Sequence, residues 1–111
     1  MRPTIVCLCG STRFAEAFAA ANCRETLAGR IVLSVGCNLK KDASMLARPE
    51  AELDDMKRRL DELHLRKIDL ADEVLILNVD GYIGDSTKRE LAYARSQGKV
   101  VRWLEPEVTD E

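Results

Sequence analysis

The sequence predicts an α/β domain, a parallel sheet of about four strands in the order 2-1-3-4 with helices on both faces. Three observations predict it. Four short apolar runs, at 4–9, 30–35, 74–79 and 100–104, lack clean in-and-out alternation and read as strands buried on both faces. Helical segments separate successive runs. Small-residue or glycine-containing turns punctuate the passages from strand to helix. A β-α-β-α-β-α-β order with right-handed crossovers gives a parallel sheet. In the order 2-1-3-4 the first and third strands are neighbours whose connections leave in opposite directions, so a crevice opens between their C-terminal ends.

The first strand, 4–9, carries Cys7 and Cys9 two apart on one face, where they read as small buried hydrophobes. No cysteine pair has the C-x-x-C spacing of a zinc or redox site, and the sequence implies no metal or cofactor. Gly10, Ser11, Thr12 and Arg13 then lead into a helix over 14–27, whose apolar face includes Phe14, Phe18 and Ala21. A small-residue turn at a helix N-terminus offers free N–H groups to an anion, with hydroxyls from Ser11 and Thr12 and a cation from Arg13. A plain capping role for Ser11 or Thr12 fits the same residues.

Gly29 ends that helix, and the second strand follows at 30–35. The stretch 36–48 is irregular and reads as a solvated connection or a flap over a pocket. Pro49 opens a long helix to about residue 70, with Leu53, Met56, Leu60 and Leu63 as its core stripe and His64, the one histidine, beside it. The third strand, 74–79, runs into a polar loop holding Asp80, Gly81, Tyr82, Gly84, Asp85 and Ser86, then a helix expected over 88–97 with Gly98 just past its end. The fourth strand is expected at 100–104 and an acidic, frayed tail at 105–111.

At 111 residues the chain is read as one domain, 1–111. A net charge of −2 with no basic block argues against a nucleic-acid polymer as partner. No run of 18 apolar residues and no signal-peptide pattern is present, so neither membrane insertion nor export is expected and the reading is cytoplasmic.

Glu90 has two readings from its residues alone. Thr87-Lys88-Arg89-Glu90 matches a T-x-x-E capping box. A carboxylate beside an anion site also suits cleavage of a nucleotide's glycosidic bond through an oxocarbenium-like transition state.

Cys9-Gly10-Ser11-Thr12-Arg13 after the first strand, Ala71-Asp72 before the third, and Glu90-Leu91-Ala92-Tyr93-Ala94 on the following helix resemble the nucleoside 2-deoxyribosyltransferase superfamily, including its deoxynucleoside 5′-monophosphate N-glycosidase branch. The resemblance spans roughly 4–104. It implies a flavodoxin-like sheet, Glu90 as nucleophile, and a phosphate held by Ser11 and Arg13 with the Gly10 and Thr12 backbone. His64 stands where that family often has an acidic proton donor, and imidazole can do that work. Asp80 or Asp85 is a candidate for a sugar hydroxyl, Tyr82 for stacking on a base, and Ser86 for a further substrate contact. The chain departs from the family's loop glycines: Lys88 and Ser86 stand two and four positions before Glu90. The expected partner is a small nucleoside or nucleotide, and a homo-oligomer is expected to complete the pocket. The alternative is a non-catalytic nucleotide-binding or sensor module using the same crevice.

Overall fold

A computed structural model describes residues 2–38 and 49–106 of the chain. The four strands form one parallel sheet in the order β2-β1-β3-β4, where β1 is Ile5–Cys9, β2 Ile31–Leu33, β3 Glu73–Ile76 and β4 Val100–Trp103. The helices are α1 (Ala15–Leu27), α2 (Glu50–Leu70) and α3 (Asp85–Ser96). The fold is flavodoxin-like, as the strand and helix alternation predicts.

Alternation along the strands divides the core in two. Val6, Leu8, Leu75 and Leu77 face α1, where Phe18 and Ala21 close the layer. Cys7, Cys9, Val74 and Ile76 face the other way and pack under Ile68, Leu91 and Ala94 of α2 and α3. Each fully buried Leu, Ile or Val contributes roughly 1.5–3 kcal/mol.

The register positions the crevice. Cys9 pairs with Ile76, so Gly10 and Leu77 leave the sheet side by side. A Cβ at position 10 would stand 3.0 Å from the Leu77 Cβ and 3.3 Å from its carbonyl oxygen. Glycine at 10 therefore lets the two chains separate in opposite directions without being pushed apart.

Several boundaries differ from expectation. β3 ends at Ile76, and Val79–Gly81 form a 3-10 turn instead of continuing the strand. β2 has only three residues, because an edge strand pairs on one side and follows its neighbour only as far as Cys7. α3 begins at Asp85, three residues before its expected start, with Gly84 at the N-cap. On α2 the inward face is His64 and Ile68, while Leu63, expected in the core stripe, is half exposed. Of the irregular 36–48 segment, residues 39–48 lie outside the described residues, as do 107–111 of the acidic tail. Glu105 is held: its N–H donates to Asn78 Oδ1 at 2.9 Å and its carboxylate accepts from the Asp80 N–H at 2.6 Å. Among the described residues no helix is long and apolar enough to cross a membrane.

Candidate functional site

The crevice at the C-terminal ends of β1 and β3 holds a cavity of about 310 Å³. The β1–α1 turn contributes Gly10, Ser11, Thr12 and Arg13, the loop before α3 contributes Tyr82, Gly84, Asp85 and Ser86, and α2 contributes Asp61 and His64. Glu90 lines it from the second turn of α3. Eight of the nine expected site residues thus come together from three separate segments.

Asp80 does not join them. It is exposed, outside the cavity lining, and its backbone takes a left-handed turn with φ 54° that directs its N–H to Glu105. Asp85, the first residue of α3, faces the cavity instead. Lys88 is exposed and absent from the lining, so its bulk does not fill the space that the family's loop glycines leave open.

The turn after β1 leads directly into the N-terminus of α1. The Arg13 N–H donates to Ser11 Oγ at 3.3 Å, and the Phe14 N–H to the Ser11 carbonyl at 3.1 Å. Phe14 is the N-cap of α1 and supplies no side-chain cap, so the capping role for Ser11 or Thr12 is not taken up. The first-turn N–H groups of α1 keep their pull on negative charge. Arg13 stacks on Tyr82, its guanidinium carbon 4.4 Å from the ring centroid and its Nη2 donating to the Tyr82 hydroxyl at 3.2 Å. Phe14 meets the same ring edge-on at 6.0 Å. Among the described residues no carboxylate pairs with Arg13, so its charge is left for a ligand.

Glu90 sits at the inner end. The early start of α3 excludes the capping-box reading, since Thr87 is a buried residue inside the helix and Gly84 holds the N-cap. The Glu90 side chain is 13% exposed, and its Oε1 lies 3.9 Å from His64 Nε2. Burial pushes its carboxyl up to about 7; the charges of Cys7 and Asp61 add to that, and those of His64 and Arg89 oppose it. For His64, burial favours the neutral ring, but the bond to Cys7 and the negative charges of Cys7 and Glu90 outweigh it, and the net shift is upward.

No protein-family model matches the chain, and no curated protein matches it either.

Reading the sequence did not join Cys7 and Cys9 to this site. Both Sγ atoms lie 3.5 Å from His64 Nε2, beneath the cavity floor. The Cys7 thiol is lowered to about 6, through its bond to Cys9 first and then through His64 against the cost of burial. Cys9 moves in the opposite direction, because the same bond, burial and the Glu90 carboxylate all favour its protonated form. The signal was available: two cysteines on one strand face, at the strand end that the α2 histidine covers. These three side chains are also the group that could hold a metal ion among the described residues.

Proposed function

We propose that the protein cleaves or transfers at the N-glycosidic bond of a nucleoside or nucleoside 5′-monophosphate, with Glu90 as nucleophile. The observation that carries this reading is a buried carboxyl, half ionised near neutral pH, set in one cavity with an anion cradle at Ser11 and Arg13. Poor solvation makes the ionised Glu90 a stronger nucleophile toward the anomeric carbon. Attack forms a glycosyl ester and releases the base, and water or an acceptor base then breaks the ester. His64 serves as acid/base partner: its proton balances the Glu90 charge before attack and passes to the departing base, and the neutral ring then takes a proton from the incoming water. Tyr82 and Arg13 form the rim over which a base or a phosphate would lie. Of the two aspartate candidates for the sugar-hydroxyl contact, the reading takes Asp85, which lines the cavity. We place the protein in the cytoplasm, with a second copy closing the open side of the cavity.

One observation favours a second reading. His64 Nε2 is aimed at the thiols as well as at Glu90, which suits a binding or sensor module whose histidine is a structural support. A panel of nucleosides and 5′-monophosphates, assayed for free base, separates the two. The catalytic reading expects base release that is lost in Glu90→Ala. Tight binding of a 5′-monophosphate with no release of base from any panel member would overturn it and leave the module.

A further inference from the structure

Cys7 and Cys9 share the face of β1 that α2 and α3 cover. His64 descends onto them from α2, and Glu90 approaches from α3. The two sulfurs and the histidine nitrogen all lie within 4.8 Å of one another. Two thiols, an imidazole and a carboxylate converging from three elements make up more than a packing motif, since the imidazole and the carboxylate gain nothing from apolar surroundings.

The sulfur–nitrogen distances fit a particular geometry. A tetrahedral zinc ion has bonds of about 2.3 Å to sulfur and about 2.0–2.1 Å to nitrogen, which places sulfur and nitrogen ligands about 3.5 Å apart. Both sulfur–nitrogen separations here are 3.5 Å. The Glu90 oxygen lies 3.9 Å from the nitrogen, against about 3.3 Å across a tetrahedral zinc site.

We propose that Cys7, Cys9, His64 and Glu90 form a binding site for one zinc ion. Thiolate and imidazole ligands select a borderline-soft ion over magnesium or calcium, which take oxygen donors. Charge agrees with burial. Two thiolates neutralise the divalent ion, the imidazole binds neutral, and the carboxylate adds one negative charge. Lys67, whose charge acts on both Cys7 and His64, offsets it. The ion reaches the site through the cavity, where His64 and Glu90 form part of the wall. Binding displaces the thiol protons to solvent and involves no change of oxidation state. The site shares His64 and Glu90 with the glycosidic reading, so the two uses exclude each other in one molecule; metal binding and base release are read out separately, and either can fail without the other.

The test uses the full chain, reduced and freed of metal with a chelator. Titration with zinc against a chromophoric chelator is expected to show one tight equivalent. Cobalt in its place is expected to give thiolate-to-cobalt charge-transfer absorption with tetrahedral visible bands. Cys7→Ala and Cys9→Ala abolish both signals, whereas the Cys23→Ala/Cys37→Ala double variant keeps them. His64→Ala loses more affinity than the roughly 10–100-fold typical of groups outside the ligand shell. Where a buried-cysteine variant does not fold, zinc X-ray absorption on the unmutated chain decides, with two sulfur and two nitrogen or oxygen neighbours expected. No tight equivalent, a zinc shell without two sulfurs, or undiminished binding in folded Cys7→Ala would overturn the site.

Discussion

Glu25 and Glu90 are both withdrawn from water, on opposite faces of the same sheet, and their carboxyls are driven in opposite directions. Glu25, 3% exposed on α1, is met by cations: Arg102 from β4 bonds it directly, Arg30 lies 3.5 Å away and Arg24 3.9 Å. Arg102 also donates to Glu73 Oε1 at 2.8 Å, so the group is a network tying α1 to the sheet. The Arg102 bond leads in holding Glu25 below the ordinary carboxylate range, against the cost of burial. Glu90 meets one imidazole at 3.9 Å, and burial wins. The same side chain is thus a brace where its charge is matched and holds its proton more tightly where it is not. Perturbed carboxyls gather at functional sites for the second reason, and ion-pair networks produce the first.

The sharpest way to break this contrast is to neutralise each carboxyl without changing its shape. Glu90→Gln is expected to lower base release by on the order of 10⁴-fold or more, the scale for losing a covalent nucleophile, while circular dichroism stays unchanged. Glu25→Gln is expected to leave base release per folded molecule intact. It strands Arg102 and Arg30 beside a neutral amide, and urea unfolding should show a loss of about 2–3 kcal/mol, toward the low side for broken buried pairs because Arg102 is 32% exposed. Equal losses of activity in the two variants would erase the distinction.

The pH dependence sharpens it. Glu90 has a raised folded pKa, so the folded chain holds its proton more tightly than the unfolded chain does. Its effect on stability is therefore neutral below about 4.5 and increasingly unfavourable as pH rises through about 7. Glu25, with a lowered pKa, works the other way: its contribution is present above the ordinary glutamate range and fades as pH falls through its lowered value. Glu90→Gln should then be more stable than the parent by about 2 kcal/mol at pH 8 and equal to it at pH 4, measured with chelator present. A parent whose stability is flat between those values would mean that Glu90 is not desolvated.

Arg13 tests the other end of the cavity. Among the described residues its charge has no carboxylate partner, unlike the three arginines around Glu25. Arg13→Ala should weaken 5′-monophosphate binding by roughly 10-fold or more, the scale of a charge-assisted hydrogen bond, and nucleoside binding much less. Equal weakening in calorimetry would assign Arg13 to holding Tyr82 in place.

How much of this the sequence reveals depends on the range of the interaction. Strand order follows from apolar runs and crossover handedness, both local or nearly so, and β2-β1-β3-β4 was legible in full. The place of Gly10 to Arg13 at the crevice was legible because four consecutive residues form the turn that leaves β1. The start of α3 was not: Asp85, Ser86 and Thr87 look like turn residues, yet Gly84 takes the N-cap and tertiary packing buries Thr87 at 2% exposed. That three-residue extension is what removes Glu90 from a cap and turns it into the cavity. The Cys7–His64 and Cys9–His64 contacts span 57 and 55 residues, and no spacing rule reaches across two crossovers.

The smallest effect belongs to Asp72, the second residue of the Ala71-Asp72 pair. Its carboxylate accepts two bonds from Arg2, at 2.7 and 2.8 Å, and one from the Ile5 N–H at 2.9 Å, so it pins the start of β1 to the start of β3. Its carboxyl is pulled down to about 2, by the Arg2 bond first and the Ile5 N–H next. On that shift alone it would rival Glu25. Exposure decides otherwise: the Arg2 and Asp72 side chains are 58% and 40% exposed, and water and salt compete for both. Asp72→Asn retains an acceptor for the Ile5 N–H and loses only the charge, so its melting temperature at neutral pH should fall less than that of Glu25→Gln. Raising the salt should close the remaining gap. The parent's advantage should be complete above about pH 3.8 and fade as pH falls toward about 2, the order required for a lowered carboxyl. Melts of both chains at low and high salt check this. An Asp72→Asn loss that matches Glu25→Gln and persists in high salt would show that the Ile5 contact needs a full carboxylate, and that this edge of the sheet is braced by charge as firmly as the α1 face.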